Sequence, residues 1–440
     1  MKILLISPCK DAIRRPKFLM IPQLALHLLA SLTPAGYQVK IVEEEIEEID
    51  FEQEADLVGI SCMTANAPRA YWIAQKFKQR GRTVVMGGIH PTILPDEALS
   101  YADCVVVGEA EEVWEGLLED FKNGRLRKKY HKYCPSLKDY PQIQYRKETK
   151  KRLFNVIPVL TTRGCPYKCE FCSVHHIYGP RIRHIPIERI VQYINDSGGK
   201  FFLFLDDNIV GDPGYARELF TQIKPLGIKY VAQASISIAR DQALLKLAAE
   251  SGCRALYVGV ETITTAQMKK LRKSIKDMEK VRDAIKRIKD CGIYFHASMI
   301  FGFDEDTRDI FPETIEFLQK NRISSASMNV LTPYPGTRIY AQYKKEGRLL
   351  TENWSYYNHK TAVYVPKNMS AFELQSGRLW ALREFTKLSS ILRRYPFHLD
   401  HPFYHFTMNM GYHIMYKRDV EELNQIAPRL FQKQNLAGVV

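Results

Sequence analysis

Three cysteines within eight residues, Cys165, Cys169 and Cys172, are the part of this 440-residue chain best equipped for chemistry. The segment Arg163 to Cys172 reads R-G-C-P-Y-K-C-E-F-C, a C-x3-C-x2-C spacing with Phe171 just before the last cysteine. Thiolates are soft ligands, and three on a short loop can hold three irons of a cubane cluster, leaving the fourth open to a small molecule. The same residues leave two other arrangements open: a zinc site completed by His175 or His176, and unrelated buried thiols. Gly164 and Pro166 favour a turn. The apolar run Val156–Leu160 ahead of them reads as a strand, so the loop leaves a strand end.

The elements that must position this loop follow from the hydrophobic pattern. From residue 155 the chain alternates strand and helix in about six βα units, short of the eight that close a barrel. In such folds chemistry sits at the carboxyl ends of the strands. Those ends carry Asp206, Asp207 and Asn208, then Gln233 and Ser235, then Glu261 after Gly259-Val260, then Gly302 in the I-F-G-F-D-E stretch, and the rigid turn Thr332–Thr337. Two adjacent acids and an amide can accept from an ammonium group, and a carboxylate such as Glu261 can receive sugar hydroxyls. Taken singly, an Asp-Asp pair is also a common helix cap, and Glu261 could cap the helix near Thr264.

Ahead of the cysteines, residues 1–125 also alternate. Strands are expected at 2–8, 37–42, 57–62, 83–88 and 104–109, apolar on both faces, which indicates a parallel sheet covered by helices on both sides. The run Met1–Pro8 reads as the first strand, its apolar stretch being too short for a secretory leader. Its carboxyl ends present Ser61 and Thr64, Gly87-Gly88-Ile89-His90-Pro91, and Gly108-Glu109. Small residues there allow close backbone approach to a ligand. His90 reads as a turn-stabilising residue.

The charge is uneven. The chain carries +14, yet residues 1–125 hold 13 Lys and Arg against 19 Asp and Glu, so the remainder is strongly basic. That points to an anionic partner or a solvated basic surface for the second part. Segment 126–154 is basic, with Lys128-Lys129 and Lys150-Lys151-Arg152 among Tyr130, Tyr133, Tyr140 and Tyr145, and reads as a linker, not a nucleic-acid site. The other cysteines are scattered, which excludes a disulfide scaffold and a second cluster, and fits a reduced cytoplasmic compartment. No apolar run is long enough to span a membrane. Phe372–Leu392 reads as one helix. Pro402–Tyr416 has no Asp, Glu, Lys or Arg and is flanked by Arg393-Arg394 and Lys417-Arg418. It reads as a cap over the barrel mouth, with a peripheral lipid contact as the alternative. His398, His401, His405 and His413 read as packing or substrate contacts.

The cysteine spacing with Phe171 resembles the radical S-adenosylmethionine (SAM) superfamily. The resemblance implies a 4Fe–4S cluster on Cys165, Cys169 and Cys172, SAM on the open iron, and reductive cleavage to methionine and a 5′-deoxyadenosyl radical. It places Phe171 beside adenine and gives Asp206, Asp207, Gln233, Ser235, Glu261 and Gly302 SAM-contacting or pocket-lining places. The G-G-x-H-P and V-G-E-A-E stretches resemble the cobalamin-binding domain fused to many such enzymes, implying that Ser61, Thr64, Gly87, Gly88, His90, Gly108 and Glu109 line a cobalamin site. The D-x-H-x-x-G loop of that fold is absent: Pro8–Arg14 offers no cobalt-ligating histidine, although many fused members lack it too.

The expected architecture is therefore α/β: a flavodoxin-like or Rossmann-like cobalamin-binding domain (1–125), a basic linker (126–154), a partial (β/α)6 TIM barrel (155–340) and a mainly helical cap (341–440). The expected function is a radical SAM enzyme performing cobalamin-dependent methylation of an unactivated carbon on a small molecule or lipid, served by a reductant such as flavodoxin or ferredoxin. The alternatives are a radical cyclase, rearrangement or carbon–carbon coupling enzyme, and, more distantly, a zinc-stabilised nucleic-acid-binding protein.

Overall fold

The computed structural model describes residues 1–9, 21–143, 156–271, 277–395 and 402–431. Residues Lys10–Arg14, Tyr145, Lys150–Arg152, His398 and His401, singled out above, lie outside the described residues. The chain divides into two compact units. One comprises Met1–Cys165, Ser173–Leu205 and Asn353–Ser355; the other comprises Pro166–Cys172, Asp206–Glu352 and Tyr356–Val440.

In the first unit, β1 (Lys2–Ser7), β2 (Gln38–Glu43), β3 (Leu57–Ser61), β4 (Thr83–Gly87), β5 (Cys104–Gly108) and β6 (Lys129–Lys132) form a parallel sheet in the order β2-β1-β3-β4-β5-β6. The order reverses between β1 and β3, the switch point at which doubly wound sheets bind ligands. Its core joins Ile3, Leu5, Leu57, Val85 and Val106 to Trp114, Leu117 and Leu118 of the helix Trp114–Lys122. β6 lies inside the segment expected as linker. Only Tyr130 of its four residues is buried, and Lys129 and Lys132 are exposed. The short alternation hides among charges, and lysines on an edge strand discourage pairing with other chains.

The same unit holds β7 (Val156–Val159), β8 (Thr162–Arg163), β9 (Arg183–His184) and β10 (Phe201–Phe204). β7 runs parallel to β10, and β8 pairs with β9 as a small antiparallel ribbon that the hydrophobic pattern did not signal. The helix Ile187–Ser197 buries Ile187, Ile190 and Ile194 and stops at Gly198, which takes the left-handed conformation suited to a helix end.

In the second unit, β11 (Lys229–Ala234), β12 (Cys253–Glu261), β13 (Tyr294–Phe301) and β14 (Ser325–Val330) pair in parallel in that order. Helices Pro213–Ile223, Gln242–Glu250 and Met278–Asp290 are each started by an aspartate, Asp212, Asp241 or Asp277, whose side chain accepts backbone N–H groups. β7 and β10–β14 supply the six strands of the expected strand–helix alternation, the partial-barrel pattern.

The helix expected over 372–392 is instead two, Ala371–Thr386 and Leu388–Arg393, separated by an extended Lys387. The break frees the Phe385 carbonyl, and Arg394 Nη2 donates to it at 2.7 Å. Pro402–Leu430 is one long helix. Asn409 Nδ2 donates to Ser324 O at 2.9 Å, which ties this helix to the amino end of β14. Among the described residues no helix is long and apolar enough to cross a membrane.

Candidate functional site

The carboxyl ends of the first unit's sheet open into a cavity of about 290 Å³, lined by Ser61, Gly87, Gly88, Gly108, Glu109 and Arg163 among others. Two glycines shape it. Gly88 has φ +99°, and a Cβ there would meet Cys62 O at 2.7 Å; Gly108 has φ +86°, and its Cβ would meet Lys132 O at 2.2 Å. Thr92 ties the two turns together, its Oγ1 donating to Gly88 O (2.8 Å) and accepting from Gly108 N–H (3.0 Å). His90 is fully buried away from the opening. Its Nε2 lies 2.9 Å from Tyr71 OH and its Nδ1 3.4 Å from Thr64 Oγ1. Burial lowers its pKa, against the opposing pull of Glu97. Trp354 covers it edge-on at 5.5 Å and donates its Nε1–H to Glu97 at 2.8 Å.

Beside the glycines lies a buried charge network. Glu109 accepts from Arg163 Nη1, from Arg183 Nη2 at 2.7 Å and from Arg183 Nη1 at 3.1 Å. Arg163 also pairs with Glu111 at 2.5 Å. Burial works against the charge on Arg163, and Glu111 and Glu109 more than offset it, raising the pKa of the guanidinium.

The chain passes between units inside the cysteine segment: Cys165 belongs to the first, Cys169 and Cys172 to the second. All three are half-buried. Cys172 N–H donates to Cys169 O at 3.1 Å, closing a turn. Among the described residues no three His, Cys, Asp or Glu side chains are gathered as ligands of one ion, and this holds for the three cysteines with or without His175 or His176. A cubane spreads its thiolates over separate irons, and a set of three soft donors without an oxygen ligand fits it.

In the second unit Phe171 meets Phe303 edge-on at 6.2 Å. Asp206 is fully buried and Asp207 half-buried. Buried Asn208 accepts from Ser235 N–H at 2.8 Å, while its Nδ2 has no partner among the described residues. Gln233 is exposed. Glu261 closes β12 with φ +69°, a conformation rarely adopted by a residue with a side chain and one that concentrates at functional sites. Gly302 has φ +102°, and a Cβ there would strike Tyr364 OH and Leu374, so its glycine makes room for the protein's own side chains. Asp306 accepts from Gly302 N–H (2.8 Å) and Phe303 N–H (3.0 Å) through Oδ2, while Oδ1 has no partner among the described residues. The Asn208 donor and the Asp306 acceptor so left over fit a polar ligand.

The register places Gln233, Tyr257, His296 and Ser325 in one row on a shared face of β11–β14, with Gly259, Ser298 and Ser327 in the next and Ile300 and Asn329 beyond. Tyr257 OH lies 2.8 Å from Ser327 Oγ, and Asn329 Nδ2 donates to Ser298 and Ser327, both at 3.3 Å. His296 is buried and neutral, its pKa lowered to about 3 by burial, between the rings of Tyr257 and Tyr412. Sequence reasoning missed Arg163, Arg183, Trp354 and Asp306 as site-forming residues. Arg163 stood inside the quoted cysteine segment; its partners, 54 and 20 residues away, left no local signal.

The chain matches the model of the Radical SAM superfamily over residues 159–318 and that of the B12 binding domain over residues 10–118. It is 33% identical to the bacteriochlorophyllide d C-8(2)-methyltransferase of Chlorobaculum tepidum over 79% of this chain and 81% of that one. It is 29% identical to the bacteriochlorophyllide d C-12(1)-methyltransferase of the same organism, over 84% of each. In fold it is similar to the radical SAM methyltransferase TsrM of Kitasatospora setae, solved with cobalamin and a 4Fe–4S cluster, with a TM-score of 0.65, 16% identity and 78% of each chain covered.

Proposed function

Because this chain belongs to the B12-binding branch of the radical SAM superfamily, we propose that it methylates an unactivated carbon of a small-molecule or lipid substrate. The observation that carries this reading is the presence of both family domains in one polypeptide, aligned over most of its length with methyltransferases. The cofactors supply the difficult chemistry: reductive cleavage of SAM at a 4Fe–4S cluster for hydrogen abstraction, and a methyl group carried by cobalamin.

The chain's own residues bind, orient and exclude water. Cys165, Cys169 and Cys172 would hold the cluster and leave one iron for SAM. Asn208, Glu261 and Asp306 would receive the nucleoside and amino-acid groups of SAM, with Phe171 against the adenine. The glycine-walled cavity would take part of the cobalamin, with Ser61, Gly87, Gly88 and Gly108 keeping the wall thin. The half-buried face bearing Tyr257, Ser298, Ser327 and Asn329 would meet the substrate. It carries hydroxyl and amide groups and no Lys, Arg or Asp on those rows, which suits an uncharged polar substituent on a largely apolar molecule.

The test is anaerobic reconstitution with methyl-labelled SAM, hydroxocobalamin, a low-potential reductant and bacteriochlorophyllide d, the pigment named for two relatives. Labelled methyl in a product together with 5′-deoxyadenosine is expected; 5′-deoxyadenosine alone would favour a radical cyclase or rearrangement. We include two partners in the proposal. One is a reductant of the flavodoxin or ferredoxin kind. The other is an anionic lipid surface, supported by exposed Leu388, Leu392, Phe406, Met410 and Ile414 with exposed Lys387, Arg393, Lys417 and Arg418 nearby. Sedimentation with phosphatidylglycerol vesicles but not phosphatidylcholine vesicles is expected, and its absence removes the lipid surface.

A further inference from the structure

β8 and β9 set Arg163 directly opposite Arg183 in an antiparallel ribbon. Two like charges in that relation repel, and both guanidinium groups are largely buried. Glu109 lies between them and accepts from each, with Glu111 neutralising the far side of Arg163. The four charges sum to zero, so the Glu109 carboxylate is committed to the arginines.

Both ends of this network are fixed without slack. On one side Glu109 follows Gly108, whose backbone is pressed against Lys132 O, and Glu109 N–H donates to that same carbonyl at 3.0 Å. On the other side Arg163 is followed by Gly164, at φ +95°, where a Cβ would meet Arg181 O at 2.6 Å. Cys165 comes next. Glu109, Glu111, Arg163 and Tyr178 also line the cavity. The wall of the cavity is thus joined to the first cysteine through one carboxylate, one guanidinium and one glycine. A ribbon of two residues per strand has little stability of its own, so the charge network sets its position.

We propose that Glu109 and Arg163 are positioning residues that couple occupancy of the cavity to the setting of Cys165, so that cobalamin binding alters the cluster. The proposal rests on the reading of the cavity as a cobalamin site and of Cys165 as a cluster ligand. Coupling of this kind is a free-energy relation between two sites, and it disappears when the element both sites bias is cut.

The experiment uses the full chain, reconstituted anaerobically and reduced with dithionite. The electron paramagnetic resonance spectrum of the reduced cluster is recorded with and without hydroxocobalamin, alongside iron content and hydroxocobalamin stoichiometry. In the parent protein, hydroxocobalamin should shift the cluster spectrum. In Glu109→Gln, at a hydroxocobalamin concentration that saturates the variant, the shift should be lost while iron content is kept. Arg163→Lys should restore part of the shift that Arg163→Met loses. Should Glu109→Gln fail to fold, the double variant Arg163→Met/Glu111→Gln cuts the link while leaving Glu109 paired with Arg183. An unchanged shift in Glu109→Gln, or in that double variant, overturns the proposal, as does a parent spectrum indifferent to hydroxocobalamin. A parent protein that binds neither iron nor hydroxocobalamin instead overturns the functional reading beneath it.

Discussion

Two polar regions of this protein handle burial in opposite ways. At the carboxyl ends of the first unit's sheet, Glu109 and Arg163 are buried, Glu111 and Arg183 are half-buried, and ion pairs join the four. On the shared face of β11–β14, Tyr257, Ser298, Ser327 and Asn329 are uncharged and bonded mainly to one another at up to 3.3 Å. Full ionic pairing fixes geometry and leaves little to offer a guest. Neutral hydroxyls and amides exchange partners at small free-energy differences. The first arrangement suits a frame and the second a surface that must accept a substrate.

The largest effect that can break this contrast is Glu109→Ala. It removes the carboxylate shared by two facing guanidinium groups while Arg163 keeps Glu111, and removing one partner from a buried pair costs about 3–5 kcal/mol. A drop in thermal midpoint of many degrees, or loss of folded protein, is expected by calorimetry. A change near zero would mean that water reaches the network.

Asp306 sharpens the contrast, being a buried acid without a cationic partner among the described residues. Burial holds its carboxyl up at about 7, although the N–H groups of Gly302 and Phe303 pull the other way. The folded chain therefore keeps a proton that the unfolded chain releases near pH 3.8. The stability this provides is complete below that pH and is lost as pH rises to about 7. Asp306→Asn should flatten that stretch of the stability profile in urea titrations between pH 5 and about 8. A wild-type profile that is already flat there would show the carboxylate to be ionised throughout.

The smallest stability changes belong to Tyr257→Phe and Asn329→Ala, each within about 1 kcal/mol, the net value of one neutral hydrogen bond. Their effect should fall on substrate: the KM of the compound that takes up the labelled methyl should rise while 5′-deoxyadenosine formation without substrate stays unchanged. A larger loss of stability than in Glu109→Ala would invert the comparison.

What the sequence made legible follows the same division. The cysteine loop, the six-strand alternation and the glycine-bearing strand ends are local patterns of spacing and period, and periodicity carries them. β6 was not legible, because a single buried Tyr130 among lysines gives no period. The break at Lys387 was not legible either, since it depends on Arg394 reaching Phe385 O. The partners of Arg163 were hidden for the same reason: a salt bridge between residues 54 apart is a property of topology, not of any window of sequence. Among the strand-end residues, Gly302 shows in the sequence only as a glycine turn; that Tyr364 and Leu374 fill its Cβ direction is a matter of packing no local pattern carries.

One placement bears on the order of biosynthesis. Asn353–Ser355 belongs to the first unit, with Trp354 laid over His90 and bonded to Glu97. A ribosome adding roughly 5–20 residues per second reaches that tryptophan only about 20–70 seconds after initiation. Until then His90 of the nascent amino-terminal sheet lacks its tryptophan cover and Glu97 has the Tyr71 hydroxyl but not the indole N–H, and the sheet acquires this lid only after most of the second unit has been made.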